Sequence, residues 1–449
     1  MSYPPYPKYK DSGVEWLGEV PEGWEVKRLR FMGDINPSKN ETINIDRNTE
    51  VSFLPMEAIG DNGFLNLERT RRIGEVEIGY TYFGNGDVTM AKITPCFENG
   101  KGAIMQGLLG GIGFGTTELT VLRPCLNKTT SKYLYWIFIS TPFRKLGEAT
   151  MYGAGGQKRV PDDFVRNFEI AFPPLPEQTL IAAFLDRETS KIDALTTEYQ
   201  TLIALLAEKR QAMISQAVTK GLNPNVKMKD SGVEWLGEVP EGWEVKRIKY
   251  LSTRISSGKT PLGGSEVYVD EGIIFLRSQN VYDEGLRLDD VVFITAEVDE
   301  SMAVSRVVPN DILLNITGAS IGRSCVVPTE FSSANVNQHV CVIRLQDIHQ
   351  VPFVGLLFKA TVIKNQIDYM QNGAAREGLN FVQIGEISIP LPPLPEQILI
   401  ASFLDRETSK IDALTTEAKR AIDLLKESRS ALISAAVTGK IDVRGFSCR

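Results

Sequence analysis

Fifteen residues, FLDRETSKIDALTTE, occupy Phe184–Glu198 and return unchanged at Phe403–Glu417. A longer string, DSGVEWLGEVPEGWEVKR, occupies Asp11–Arg28 and returns at Asp230–Arg247. Asp11 recurs as Asp230 and Phe184 as Phe403, so both strings share one period of 219 residues. That period is far longer than the ~20–50 residues of stacked solenoid repeats. The chain is a duplication of one unit: an opening segment, a variable stretch and a helical segment. Whatever one half builds, the other half must also be able to build.

The variable stretches, about 30–172 and 249–391, have diverged but keep an apolar skeleton. Phe53-Leu54 with Ile59 answers Phe275-Leu276 with Val281. Asp87 with Ile93-Thr94 answers Asp311 with Ile316-Thr317, with a slip of one residue. The 119–123 run answers 340–344, 136–141 answers 356–361, and Gly153-Ala154 answers Gly373-Ala374. Short alternating apolar runs at 51–54, 102–105, 119–122, 273–276, 312–316 and 340–345 predict strands. Lys132–Leu146 and Val351–Met370 predict helices. Each module is expected to be α+β, with a mainly antiparallel or mixed sheet.

Each helical segment begins at PPLPEQ, Pro173–Gln178 and Pro392–Gln397. Pro176 suits a first helical turn, where its missing donor is harmless. Glu177 then faces the positive end of the helix dipole. Ile181, Leu185, Ile192, Leu195, Tyr199, Leu202, Leu206 and Met213 follow in steps near a heptad. The second copy supplies Ile400, Leu404, Ile411, Leu414, Ala418, Ala421, Leu425 and Leu432. Gly221 and Gly439 mark the ends. Each amphipathic helix would expose its seam alone, so the expectation is that the two copies pair antiparallel as a pseudo-two-fold coiled coil. Heptads say nothing about ligands, and a generic spacer or dimerisation element reads equally well at this point.

The 449 residues carry 49 basic and 56 acidic side chains, a net charge of −7, which argues against a protein coated in basic charge but leaves room for a local basic face. Cys96, Cys125, Cys325, Cys341 and Cys448 are scattered, with no CxxC pair. Neither a disulfide framework nor a zinc site is expected, and a reducing cytoplasm fits. No apolar run approaches the ~20 residues of a membrane span. Chemistry is hard to find. Gly258-Lys259-Thr260 lacks the glycine that a phosphate-binding loop needs at Thr253. The glycine runs at 110–115 and 153–156 do not spell GxGxxG. Pro173-Pro174 lies between Phe172 and Leu175, which is not the (N/D)PP(Y/F) of DNA-amine methylation. Asp162-Asp163 with Glu169-Ile170-Ala171 lacks a nuclease's lysine, and two histidines with no elbow motif do not make a nucleophilic triad.

Taken together, the duplicated PPLPEQ…FLDRETSKIDAL segments, the duplicated DSGVEWLGEVPEGWEV segment and the Arg159-Val-Pro-Asp-Asp-Phe164 run resemble the specificity subunits of type I restriction–modification systems over essentially the whole length. The resemblance implies target recognition domains at 1–172 and 222–391, conserved spacer helices at 173–221 and 392–441, and a tail at 442–449. It implies that each recognition domain reads one half of a bipartite double-stranded DNA target and that the spacer sets the gap. It further implies a non-catalytic chain that docks two methyltransferase subunits and is joined by motor-nuclease subunits. S-adenosylmethionine, ATP and magnesium are then expected on those partners, with no cofactor on this chain. The competing readings are a coiled-coil adaptor that does not read DNA and an enzyme fused to recognition domains; the missing motifs argue against the second.

Base edges are read by polar side chains on loops and strand ends, so the candidates lie where the modules share a skeleton and differ in polar residues. These are Lys92 and Thr94 against Asn315 and Thr317, and Thr116 and Thr117 against Gln338 and His339. Gln157, Lys158 and Arg159 stand against Arg376, and Met56-Glu57 stands against Arg277, Gln279 and Asn280. For each, an exposed turn former is the plainer alternative. Arg71, Arg72, Lys101 and Arg323 are the phosphate-contact candidates.

Overall fold

The computed structural model describes residues 3–154, 156–371 and 378–446. The chain divides into two compact units, Met1–Tyr199 with Arg420–Arg449, and Gln200–Lys419. The division falls inside the long helices rather than at the proline segments. Its cause is packing: each unit takes one module and half of each long helix.

In the first unit, one four-stranded sheet runs Thr70–Arg72, Glu50–Leu54, Ile112–Gly115, Thr81–Gly84 in spatial order. A second runs Gly33–Ile35, Leu119–Pro124, Val88–Ala91, Gly102–Ile104. The second unit repeats both orders: Val292–Ile294, Ile273–Leu276, Ala334–Val336, Arg306–Val307; and Ser252–Ser257, Val340–Leu345, Ile312–Asn315, Ser324–Val326. Even the parallel pair recurs, 52–54 on 113–115 and Phe275-Leu276 on Asn335-Val336, among otherwise antiparallel neighbours. The sequence expectation of one mixed-sheet fold used twice is met.

An ion pair to a buried carboxylate locks each module. Arg123 donates to Asp87 through Nε at 2.7 Å and Nη2 at 2.8 Å; Arg344 does the same to Asp311 at 2.7 and 2.8 Å. Each carboxylate also accepts a backbone N–H, from Gly84 at 2.7 Å and from Val308 at 2.9 Å. The preceding residues, Gly86 and Asn310, both take positive φ, 91° and 68°. Glycine and asparagine are the residue types that tolerate that turn.

The helices predicted at 132–146 and 351–370 are each broken in two. Ser131–Ile139 is followed by Thr141–Ala149, with Ser140 extended between them. Val351–Lys359 is followed by Thr361–Gln371, with Ala360 extended. Pro142 opens the second piece in the first module. In the second module the long helix satisfies the break: the Ser215 hydroxyl accepts the Thr361 N–H at 3.0 Å, and Gln211 donates to the Lys359 carbonyl at 2.9 Å.

The duplicated strings meet each other. The opening segment forms strand Glu25–Arg28 on Glu169–Phe172, and Glu244–Arg247 on Ser388–Leu391, immediately before each proline segment. The indole of buried Trp24 donates to Glu177 at 3.2 Å, and that of Trp243 to Glu396 at 3.1 Å. Gln178 and Gln397 donate to the carbonyls of Pro173 and Pro392, both at 2.9 Å. Glu177, expected as a dipole partner alone, is therefore also the acceptor that ties the residue before strand Glu25–Arg28 to the first long helix, as Glu396 does for Glu244–Arg247 and the second.

The long helices are Leu175–Lys220 and Leu394–Val437. Within the first unit Ile181 and Leu185 share a core with Ile433, Ala436 and Val437, and Arg429 pairs with Asp193 at 2.9 Å. Within the second, Ile214, Ala217 and Val218 share a core with Ile400 and Leu404, and Arg210 pairs with Asp412 at 3.3 Å. Both sets run antiparallel. Shifting by 219 turns Asp193 into Asp412 and Arg210 into Arg429, so the two ion pairs are one contact with the copies exchanged.

Leu185, Ile192, Tyr199 and Leu206, with Leu404, Ile411, Ala418 and Leu425, lie in the seam as read from the sequence; the positions between them are shifted by one residue. Leu195, Leu202 and Leu414 are exposed; the half-buried positions are Thr196, Ile203 and Thr415. The observed seam is Leu185, Thr189, Ile192, Thr196, Tyr199, Ile203, Leu206 and, 219 residues on, Leu404, Thr408, Ile411, Thr415, Ala418, Ile422, Leu425. Threonine fits there because each hydroxyl bonds back into its own helix, Thr189 to Leu185 at 2.6 Å and Thr196 to Ile192 at 2.9 Å, leaving its methyl to pack.

Candidate nucleic-acid interface

In each module part of the candidate residues gather at the end of the two central strands of the second sheet. Strand Val88–Ala91 delivers Lys92, Ile93 and Thr94; strand Leu119–Pro124 is preceded by 116–118. The Lys92 N–H donates to the Glu118 carbonyl at 2.9 Å, and the Thr94 N–H to the Lys158 carbonyl at 3.0 Å. Three separate loops of the first module are thus brought to one edge.

Their roles differ. Gln157, Lys158 and Thr117 are exposed. Arg159 is committed: it grips Glu118 through Nε at 2.9 Å and Nη2 at 2.7 Å. That hydrogen-bonded guanidinium holds the Glu118 carboxyl below its ordinary range. Arg159 therefore fastens the 152–159 loop to the 116–118 loop. The Lys92 ammonium lies 3.9 Å from Asp162, the Thr94 hydroxyl donates to Glu98 at 2.9 Å, and Thr116 accepts the Glu118 N–H at 3.2 Å. Tyr152, an exposed aromatic paired through its backbone with Arg159, joins this edge and escaped the sequence reading. An aromatic beside a glycine run was its available signal. Lys101 reaches the Met56 carbonyl at 3.1 Å. Arg71 and Arg72 lie on the edge strand Thr70–Arg72 of the other sheet.

The second module builds the same edge with other chemistry. The Ile316 N–H donates to the His339 carbonyl at 3.0 Å and the Leu379 N–H to the Ile316 carbonyl at 2.9 Å. Ala91 pairs with Leu119 as Asn315 pairs with Val340. Lys92 is therefore the counterpart of Ile316, and Ile93 of Thr317; the sequence alignment was one residue out.

Thr317 bonds the Nδ1 of His339, Gln338 Nε2 approaches its Nε2 at 3.0 Å, and Thr260 donates to the Gln338 carbonyl oxygen. A neutral imidazole has one N–H, and the Gln338 amide nitrogen can only donate. The network therefore assigns the proton to Nδ1, with Thr317 accepting. The Thr317 O–H and one amide N–H of Gln338 remain as donors. Thr260 was not anticipated as part of this string. The Gly258-Lys259-Thr260 segment is no phosphate loop: a Cβ at Gly258 would lie 1.7 Å from the Val336 carbonyl oxygen, so glycine there serves a close backbone crossing.

Two candidates are corrected. Asn280 is 1% exposed; its amide accepts the Arg277 N–H at 2.9 Å and donates to the Arg287 and Asp290 carbonyls at 3.0 and 3.1 Å. Asn315 is fully buried and donates to the Ser278 carbonyl at 2.8 Å. Both brace loops from inside, Asn280 through oxygen and nitrogen and Asn315 through its nitrogen alone, with its Oδ1 left without a partner, and neither presents its side chain at the surface. Arg277 and Gln279 also reach Asp290, so they too are tied to the 277–290 loop. Arg323 is exposed, with its guanidinium 4.9 Å from the Tyr282 ring centre. Arg376, with Gly373-Ala374, lies outside the described residues.

Among the described residues no helix is long and apolar enough to cross a membrane. The family described as type I restriction modification DNA specificity domain matches residues 21–204 and again 240–423. The chain is 38% identical over 206 residues to the Escherichia coli type I restriction enzyme EcoEI specificity subunit, covering 43% of this chain and 34% of that protein. It is 44% identical over 194 residues to the EcoAI specificity subunit of the same species, covering 43% and 32%. The chain thus aligns to about a third of the length of these two relatives. A putative MjaX specificity subunit of Methanocaldococcus jannaschii is 25% identical over 440 residues, covering 95% and 96%. Among solved structures, one describing complex assembly and conformational transition of the type I R-M system superposes with a TM-score of 0.77 at 17% identity, over 94% of this chain and 99% of that one. The HsdS subunit of Thermoanaerobacter tengcongensis gives 0.58 at 18%, over 94% and 98%. These two likenesses concern the fold. With two matched segments spanning most of its length, the chain belongs to the family of type I restriction–modification DNA specificity domains and carries the domain twice.

Proposed function

We propose that this chain is the DNA-reading, non-catalytic member of a restriction–modification assembly. Each module reads one half of a bipartite double-stranded target, and the paired helices set the gap between the halves. Two methyltransferase subunits dock on the helices, motor-nuclease subunits join for restriction, and S-adenosylmethionine, ATP and magnesium are carried by those partners.

One observation carries this reading. The two modules share sheet order and the buried Asp–Arg lock, yet the same strand ends present Lys92, Thr94, Thr117, Gln157 and Lys158 in one and Thr317, Gln338 and His339 in the other. A constant frame with exchanged donors and acceptors is what two different half-sequences require. Docking is supported by leucines left exposed at equivalent places on both helices, Leu195 with Leu414 and Leu205 with Leu424. Joining two weak readers multiplies their effect when the geometry fits.

The test is competition binding by the chain purified with its methyltransferase, using random duplex libraries. Enrichment of a two-part motif is expected. Binding with no sequence preference would favour an adaptor that uses the coiled coil alone.

A further inference from the structure

We propose that Tyr282, Arg287 and Arg323 form a clamp for one backbone phosphate of DNA, flanking the reading edge of the second module. This deepens the proposed function and rests on it. Arg287 places its guanidinium carbon 3.6 Å from the centre of the Tyr282 ring, and Arg323 places its own at 4.9 Å. Two cations share one aromatic ring, which orients both planar forks.

Their charge is poorly neutralised from within. The carboxylate nearest Arg287 is that of exposed Glu284, at 3.9 Å. Asp283, next to the ring, is already committed: it pairs with Lys364 and accepts the Ser324 N–H at 3.0 Å. Arg323 makes no ion pair among the described residues. Two like charges held against one ring, with a single solvent-exposed carboxylate at 3.9 Å from one of them, are a site for an anion. A phosphodiester has two non-bridging oxygens, one for each fork, and guanidinium groups recognise that geometry.

The position suits a DNA phosphate. The Arg323 carbonyl accepts the N–H of Asn315 at 2.8 Å, at the strand end that continues into Thr317. The Asn315 amide also ties the Ser278 carbonyl of the Tyr282 loop to that end. The clamp is thus built onto the base-reading edge, and phosphate contacts beside base contacts fix register. It is peculiar to this module. Lys101 is the counterpart of Arg323, since its carbonyl accepts the Ala91 N–H at 2.8 Å. Gly60 stands one residue beyond Ile59 as Tyr282 stands beyond Val281, so the first module has no ring there.

The experiment measures binding of the full chain with its methyltransferase to cognate and random duplexes across a salt series. One phosphate contributes about 0.9 to the slope of log affinity against log salt, so Arg287→Gln and Arg323→Gln should each flatten it by up to about 0.9 and the double variant by no more than about 0.9. Both should weaken cognate and random DNA equally and leave the methylated motif unchanged. Tyr282→Phe should behave as wild type and Tyr282→Leu should fall between. Unchanged slopes in both arginine variants, with the proteins folded by circular dichroism, would overturn the clamp. So would an altered base preference, which would make these residues readers of bases. Inorganic phosphate at matched ionic strength should leave the arginine-dependent difference intact; its loss would assign the site to free phosphate and overturn the DNA assignment. A wild-type complex without sequence preference, but with slopes that still depend on the arginines, would sink the proposed function and leave the clamp standing.

Discussion

Removing one buried carboxylate should disable one half of the DNA target and leave the other half readable. Asp87 is 1% exposed and accepts three hydrogen bonds, two from Arg123 and one from the Gly84 N–H. Asp87→Ala strands a guanidinium and a backbone donor. Breaking such a pair from one side costs about 3–5 kcal/mol, a large share of the roughly 5–15 kcal/mol of a whole domain. Arg123 retains a second carboxylate, Glu41, so the low end applies. Arg344 pairs with Asp311 alone among the described residues but its side chain is more open to water, 35% against 25% exposed, so Asp311→Ala should cost a similar amount. Calorimetry should show a fall in Tm of about 2–4 °C for each kcal/mol. Because Val88–Ala91 runs directly into Lys92 and Thr94, Asp87→Ala should also blur recognition of the first module's half-site only. Replacing both partners by apolar residues, Asp87→Leu with Arg123→Met, should recover most of the loss, since the charge is then not left unpaired. The reasoning is refuted if Asp87→Ala costs under about 1 kcal/mol, or if the double variant loses as much as the two single substitutions added.

Three further outcomes are expected. Leu206→Ala, in the seam at 8% exposure, should cost about 2–5 kcal/mol, whereas Leu195→Ala and Leu414→Ala should stay within about 0.5 kcal/mol and instead weaken association with the methyltransferase, read by analytical ultracentrifugation. Seven residues inserted after both Leu202 and Ala421 keep the seam in phase and lengthen each helix by about 10.5 Å; the methylated motif should then tolerate a gap longer by about three base pairs, with both half-sites unchanged. The Glu118 carboxyl, held down by Arg159, should titrate by NMR below the ordinary ~4.3; its contribution is present above that range and lost only as pH falls through the lowered value. Binding by the first module should therefore not change through this pair between about pH 6 and 8, and a midpoint above the ordinary value would contradict the brace.

What the sequence showed best was the duplication. Identical strings at one offset forced one fold twice, and the runs at 51–54, 273–276 and 340–345 sit on observed strands. Every second seam position was read correctly; those between were misphased because leucine was counted and threonine was not. Thr196 and Thr415 bond their hydroxyls to Ile192 and Ile411, a local fact that composition hides. The helix break at Ala360 is set by Gln211 and Ser215, far away in the chain. The same holds for the candidate edge. Order along the chain showed which loops correspond, but Asn280 and Asn315 turned inward because backbone carbonyls needed donors there. The one-residue slip between Lys92 and Asn315 was visible only in the sheet register.

The central claim is that each module reads its own half-site. It is tested most directly by sequencing the methylome of cells that express this chain with its methyltransferase, as wild type, Lys92→Ala and Gln338→Ala. The account predicts a two-part motif with a fixed gap for the wild type, relaxed in one half by Lys92→Ala and in the other by Gln338→Ala. A contiguous motif, or relaxation of the same half by both substitutions, would contradict it.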